Sequence, residues 1–188
     1  MSLVELIAQA DERGLAASGL ACLDRCVPLL GGDDEILRPL WASLADSGDA
    51  GEWGARLEHA RLKLGGAEEY DETVEDEAAL LARRMLAAAP VDRDAAQVRV
   101  WADACSVAAL QIHRLLDPVD DAVPSVDARR AGRMEGMSPL VAAELRRQVT
   151  VLELLAGHGA GGLRRALEVS VEGRRVLQAV VSRRARRG

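Results

Sequence analysis

The stretch from Asp92 to Leu116, DRDAAQVRVWADACSVAALQIHRLL, decides the fold. Val98, Trp101, Cys105, Ala108, Ile112 and Leu115 recur at intervals of three and four residues. That spacing gathers them on one side of a helix and would scatter them over both faces of a strand. Acidic residues near Asp92 suit a helix start, and Asp117-Pro118 ends the pattern because the residue before a proline is pushed out of the helical region. The run is several times longer than an ordinary strand.

The same period extends in both directions. Ser2 and Glu5 form an S-x-x-E capping box ahead of Leu3, Leu6, Ile7 and Ala10, and Gly14 is expected to stop that helix. Leu20, Leu23, Val27 and Leu30 mark a second helix closed by Gly31-Gly32. Asp33 or Asp34 precedes a third helix, with Leu37, Leu40, Trp41 and Leu44, that starts properly at Arg38 with Pro39 in its first turn. Trp53, Leu57, Ala60 and Leu64 mark a fourth, closed by Gly65-Gly66. A fifth begins near Asp71 or Thr73, shows Val74, Ala78, Leu81, Met85 and Ala88 on one face, and stops at Pro90. Ser138-Pro139 is a cap followed by proline at the first helical position, opening a helix to about Ala156. Gly157 to Gly162 reads as a linker, and the last helix, from Leu163, has an apolar arc wide enough to predict that it is largely buried. The expected fold is an all-α bundle of about eight helices, without strands. No repeat recurs at a fixed period, which argues against a solenoid.

Composition agrees. Aromatic residues are 2% of the chain, with no Phe, so the core has to be built from Leu, Val and Ala. No apolar run approaches the roughly 18–20 uncharged residues of a membrane span, and no leader resembles a signal peptide, so a cytoplasmic location is expected. Three cysteines, Cys22, Cys26 and Cys105, an odd and small set, argue against a disulfide framework. Lys63 is the single lysine; the heavy use of Arg, Ala and Gly is that of GC-rich bacterial coding.

Charge is segregated. Residues 1–128 hold 11 Lys and Arg against 25 Asp and Glu, a formal balance of −14; residues 129–188 hold 13 Arg against 5 Glu, a balance of +8. The sequence therefore divides into an acidic helical bundle over 1–116, a crossover or linker over 117–137 that contains a short helix or is mobile, and a basic helical pair over 138–188 packed on the bundle.

Three motifs suggest chemistry. Gly157-x-Gly159-x-x-Gly162 matches the dinucleotide fingerprint and resembles the glycine-rich loop of nucleotide-fold methyltransferases. Only 26 residues follow it, too few for the further strand–helix units of a doubly wound fold. What survives is a modest anion site at the start of the last helix, with His158, Arg164 and Arg165. Glu68-Glu69-x-x-Glu72 resembles the first half of the metal-binding pattern of all-helical nucleotide pyrophosphohydrolases. The second half, E-x-x-D, is missing from the next helix, where only Asp103 is available, and acidic residues at helix starts ordinarily serve the dipole. Cys22 and Cys26, one turn apart, lack a second ligand pair and read as core, while His59 and His113 read as helix-face residues.

No catalytic residue, metal or cofactor is assigned on these grounds. The expected function is that of a non-enzymatic regulatory or scaffolding protein that acts through helical surfaces and forms a homodimer, arginines of 129–188 meeting carboxylates of 1–128. The alternatives are a nucleic-acid-associated regulator using the arginine-rich third and a divalent-metal nucleotide hydrolase using Glu68, Glu69 and Glu72.

Overall fold

The structure is a computed structural model. It describes the chain except residues 34, 46–49, 66–73, 121–124 and 188, and except the side chains of 50, 51 and 74–76. The described residues form nine α-helices, two short 3-10 turns and no strand. The helices are α1 (Leu3–Gln9), α2 (Glu12–Cys26), α3 (Arg38–Ala45), α4 (Ala50–Leu64), α5 (Val74–Ala88), α6 (Ala95–Leu116), α7 (Val126–Arg130), α8 (Pro139–His158) and α9 (Leu163–Ala185).

Helix α2 is the axis of the bundle. Every residue from Gly14 to Cys26 is buried, with α6, α8 and α9 packed around it and α3 and α5 also reaching it. A helix buried all round needs small side chains on several faces, and Ala16, Ala17, Ser18, Gly19, Ala21 and Cys22 supply them. The closest approach is at Gly19, where an added Cβ would lie 2.6 Å from Trp101 Cζ3. Trp101 on α6 is buried, donates its indole N–H to the Met85 carbonyl at 2.9 Å, and meets Trp53 edge-to-face at 6.1 Å. One apolar core runs from Leu3 to Leu177.

Several expectations hold. The Ser2–Glu5 capping box is formed, α3 starts at Arg38, Pro39 lies in its first turn, and α8 starts after Ser138. The crossover contains a short helix, α7. Others are corrected. Gly14 does not stop α1, which ends at Gln9; it lies inside the first turn of α2, its N–H bonded to the cap carboxylate of Asp11 at 2.7 Å. The glycine segment is not a plain linker, since α8 continues through His158 and residues Gly159–Gly162 form a 3-10 turn. On α5 the buried face includes Ala79, Ala82 and Leu86, while Leu81 is half-buried and Ala88 exposed. The last helix, α9, buries one face only, through Leu163, Ala166, Ser170, Gly173, Arg174 and Leu177.

Arginines tie the helix ends together. The last carbonyls of a helix lack internal partners. Arg99 donates to the carbonyls of Ile7, Ala8 and Ala10 behind α1; Arg13 donates to Leu44 O at the end of α3; Arg61 donates to Ala87 O and Ala89 O at the end of α5. Each cation also meets the negative end of a helix dipole.

Candidate functional site: a sealed polar network and an open charged end

The chemically richest cluster lies inside the bundle, where α2, α6, α8 and α9 meet. Arg25 of α2 grips Glu144 of α8 with both arms of its guanidinium, Nε to Oε2 at 2.8 Å and Nη2 to Oε1 at 2.6 Å. Both side chains are fully buried. Gln148, one turn along α8, donates to Glu144 Oε1 at 2.8 Å and accepts from Ser106 Oγ of α6 at 2.6 Å. Ser106 Oγ in turn accepts from Arg130 Nε of α7 at 3.1 Å, and Arg130 pairs with Asp103. A second buried pair, Arg174 to Asp24 at 2.7 Å, joins α9 to α2.

His113 completes the cluster. Its Nδ1 lies 2.7 Å from the Ala109 carbonyl, which can only accept, so Nδ1 carries the proton. Nε2 is then left facing Glu144 Oε2 at 3.5 Å. Burial lowers the histidine's pKa and outweighs the attraction of Glu144, so the ring is neutral near pH 7. For Glu144 burial works the other way and would raise the carboxyl. Arg25 overcomes it, and the group stays below its ordinary value, ionised. Arg25 is held above its own ordinary value because Glu144 outweighs the burial that would lower it.

The three cysteines are thiols. Burial pushes Cys22 up to about 12 and raises Cys26 and Cys105 well above normal, so none is poised as a thiolate nucleophile. No group of three or more His, Cys, Asp or Glu among the described residues could hold a metal ion. Gly173 explains how the large Arg25 fits: a Cβ there would lie 2.4 Å from Arg25 Cδ and 2.9 Å from Arg147 Cδ. What this arrangement does chemically is fix five helices, α2, α6, α7, α8 and α9, to one another through largely buried, directional bonds.

The residues singled out in the sequence lie elsewhere. His158, Arg164 and Arg165 are all exposed; Arg164 pairs with Glu168 on its own helix at 3.3 Å. Glu68, Glu69 and Glu72 lie outside the described residues. Contrary to its helix-face reading, His113 is buried. Of the thirteen C-terminal arginines, Arg129, Arg130 and Arg174 are buried, and Arg129 donates to the carbonyls of Arg133 and Glu135 to fold the crossover. Sequence reasoning missed Arg25, Ser106, Glu144 and Gln148. The available signal was Asp24-Arg25 embedded in the apolar run Leu20 to Leu30, and Glu144 and Gln148 one turn apart between Val141 and Val151.

The other functional candidate is the end of the bundle where α6 and α9 terminate. Leu116, Pro118, Val180 and Val181 form an apolar groove rimmed by Arg183, Arg184 and Arg187. Pro118 and the neighbouring Val119 are exposed. No helix among the described residues is long and apolar enough to cross a membrane.

Comparison of the chain with protein-family models, with curated proteins and with solved structures gave no significant match.

Proposed function

We propose that this protein is a non-enzymatic helical module, regulatory or scaffolding, that acts by binding through its surface and in the first place by self-association. The observation that carries the reading is the groove beside the end of α9, where apolar Val180 and Val181 lie next to Arg183, Arg184 and Arg187. Apolar floor and cationic rim are the pairing expected of a protein-docking surface: burial supplies affinity, and the charges supply orientation and partner choice. The acid–base cluster around Glu144 supports the same reading, because its strongest groups are engaged with one another inside the bundle.

Nucleic-acid binding is the second reading, favoured by the four arginines Arg183, Arg184, Arg186 and Arg187 within five residues. The formal charge of −6 and the absence of any aromatic residue in 129–188 weigh against it. Sedimentation at low and high salt, with and without duplex DNA, tests both. A concentration-dependent dimer that weakens with salt and ignores DNA is expected. A salt-independent monomer that binds DNA with a steep salt dependence would refute self-association and promote the second reading.

A further inference from the structure

The groove has an acidic neighbour. A second hollow, on the other side of the last turn of α6, is lined by Glu77, Asp117 and Asp120, with Arg114 and the apolar Leu81 and Leu115. The two hollows share one wall: Leu115 and Asp117 face the acidic side, Leu116 and Pro118 the basic side. Asp117 is already occupied, accepting from Val119 N at 3.0 Å and from Leu140 N at 2.7 Å. Glu77 and Asp120 are exposed, and Glu77 ends the acidic run that starts at Glu68. Across the ridge, Arg183 and Arg187 are exposed as well.

An acidic patch and a basic patch on either side of an apolar ridge are self-complementary. Let two copies meet face to face about a two-fold axis that lies in the interface, along the ridge. The rotation exchanges the two sides, so each basic patch falls on the partner's acidic patch, and exposed Pro118 and Val119 of the two copies meet at the axis. Such an isologous contact closes on itself and stops at a dimer.

From this we infer that the end of the bundle formed by α5, α6 and α9 is a two-fold dimer interface, in which Arg183 and Arg187 of one copy pair with Glu77 and Asp120 of the other. The inference rests on the self-association reading and names its surface.

Charge exchange tests it. Variant one carries Arg183→Glu and Arg187→Glu, and variant two carries Glu77→Arg and Asp120→Arg. All four side chains are exposed, and thermal melts check that both variants remain folded. Each variant alone sets like charges against like at both contacts and should dimerise at least about a hundredfold more weakly than the natural chain in sedimentation equilibrium at low salt. An equimolar mixture should form a heterodimer, because the acidic side of one now faces the basic side of the other at both contacts. A natural chain that dimerises, with variants that dimerise equally well, overturns this interface and leaves self-association through another surface. A natural chain that stays monomeric at low salt overturns the interface and the self-association reading together. Loss of both homodimers without recovery in the mixture also overturns the pairing.

Discussion

Replacing Glu144 with glutamine should cost more than any surface ion pair could. The carboxylate and Arg25 are both fully buried, and the guanidinium makes two of its hydrogen bonds to the oxygens that the substitution alters. Glutamine keeps the shape and one acceptor but removes the charge, so the guanidinium is left desolvated without a counter-ion. Breaking a buried pair on one side costs about 3–5 kcal/mol, against about 5–15 kcal/mol for the whole stability of a domain. With a urea dependence of about 2 kcal/mol per molar, the midpoint should fall by about 1.5–2.5 M. The paired replacement Arg25→Met with Glu144→Leu removes both charges and should regain at least about 2 kcal/mol of the loss, because no charge is then stranded. A loss below about 1 kcal/mol for Glu144→Gln, the range of exposed pairs, would refute the argument by showing that water reaches the cluster.

Trp101→Ala removes an indole that is buried, hydrogen-bonded and packed on Trp53, and should destabilise by about 3–5 kcal/mol in a denaturant melt. Gly173→Ala should destabilise by about 1–3 kcal/mol in the same assay, since the added Cβ would lie 2.4 Å from Arg25 Cδ in a packed interior. The pH dependence follows from His113, whose pKa is lower in the folded chain than in the unfolded one. Its contribution is complete above the unfolded value of about 6.5 and is lost as pH falls toward the folded value. Thermal melts between pH 7.5 and 5 should show stability falling with acid, and His113→Gln should flatten that slope; an unchanged slope would assign it to other groups.

The parts of the fold legible in the sequence are those set by local chemistry. The Ser2–Glu5 box, Pro39 in a first turn and Ser138-Pro139 each concern residues within one helical turn, where capping geometry decides the outcome. A glycine after an apolar run ends a helix only if nothing nearby can cap a new start, and before Gly14 the carboxylate of Asp11 caps one. On α9 the apolar arc is wider than the buried face for a different reason. Val169 and Val171 are partly buried at its margins, so counting apolar residues overstated the buried face. The polar cluster was not legible because its bonds are long-range: Arg25 and Glu144 stand 119 residues apart, and a charged residue on an amphipathic helix ordinarily faces water. The charge segregation was visible, but its division into buried and exposed arginines was not. Arg174 and Arg175 are neighbours in sequence, and one helical step turns the first inward to Asp24 and the second to solvent.

The composition of the core gives the network a further role. Leu, Val and Ala fill most of it, with three tryptophans, two of them packed together, and no phenylalanine, so many apolar contacts between helices are alike. A helix shifted along or around its neighbour would exchange one Leu or Ala contact for another at modest cost, since hydrophobic cores tolerate changed partners if volume is kept. The bidentate grip of Arg25 on Glu144 does not tolerate it. Rotating α8 by one residue, about 100°, would carry Glu144 out of reach and strand two buried charges. The network therefore selects one register of α8 on α2, and stability and uniqueness should separate in the paired variant Arg25→Met with Glu144→Leu. That variant should remain helical by circular dichroism and melt well above Glu144→Gln. Its amide spectrum should nevertheless show multiple or exchange-broadened resonances for residues of α8 and α9 while the α4–α5 pair stays sharp. A single set of sharp resonances throughout would show that apolar packing alone fixes the register, and the ion network would then be a consequence of the fold rather than one of its determinants.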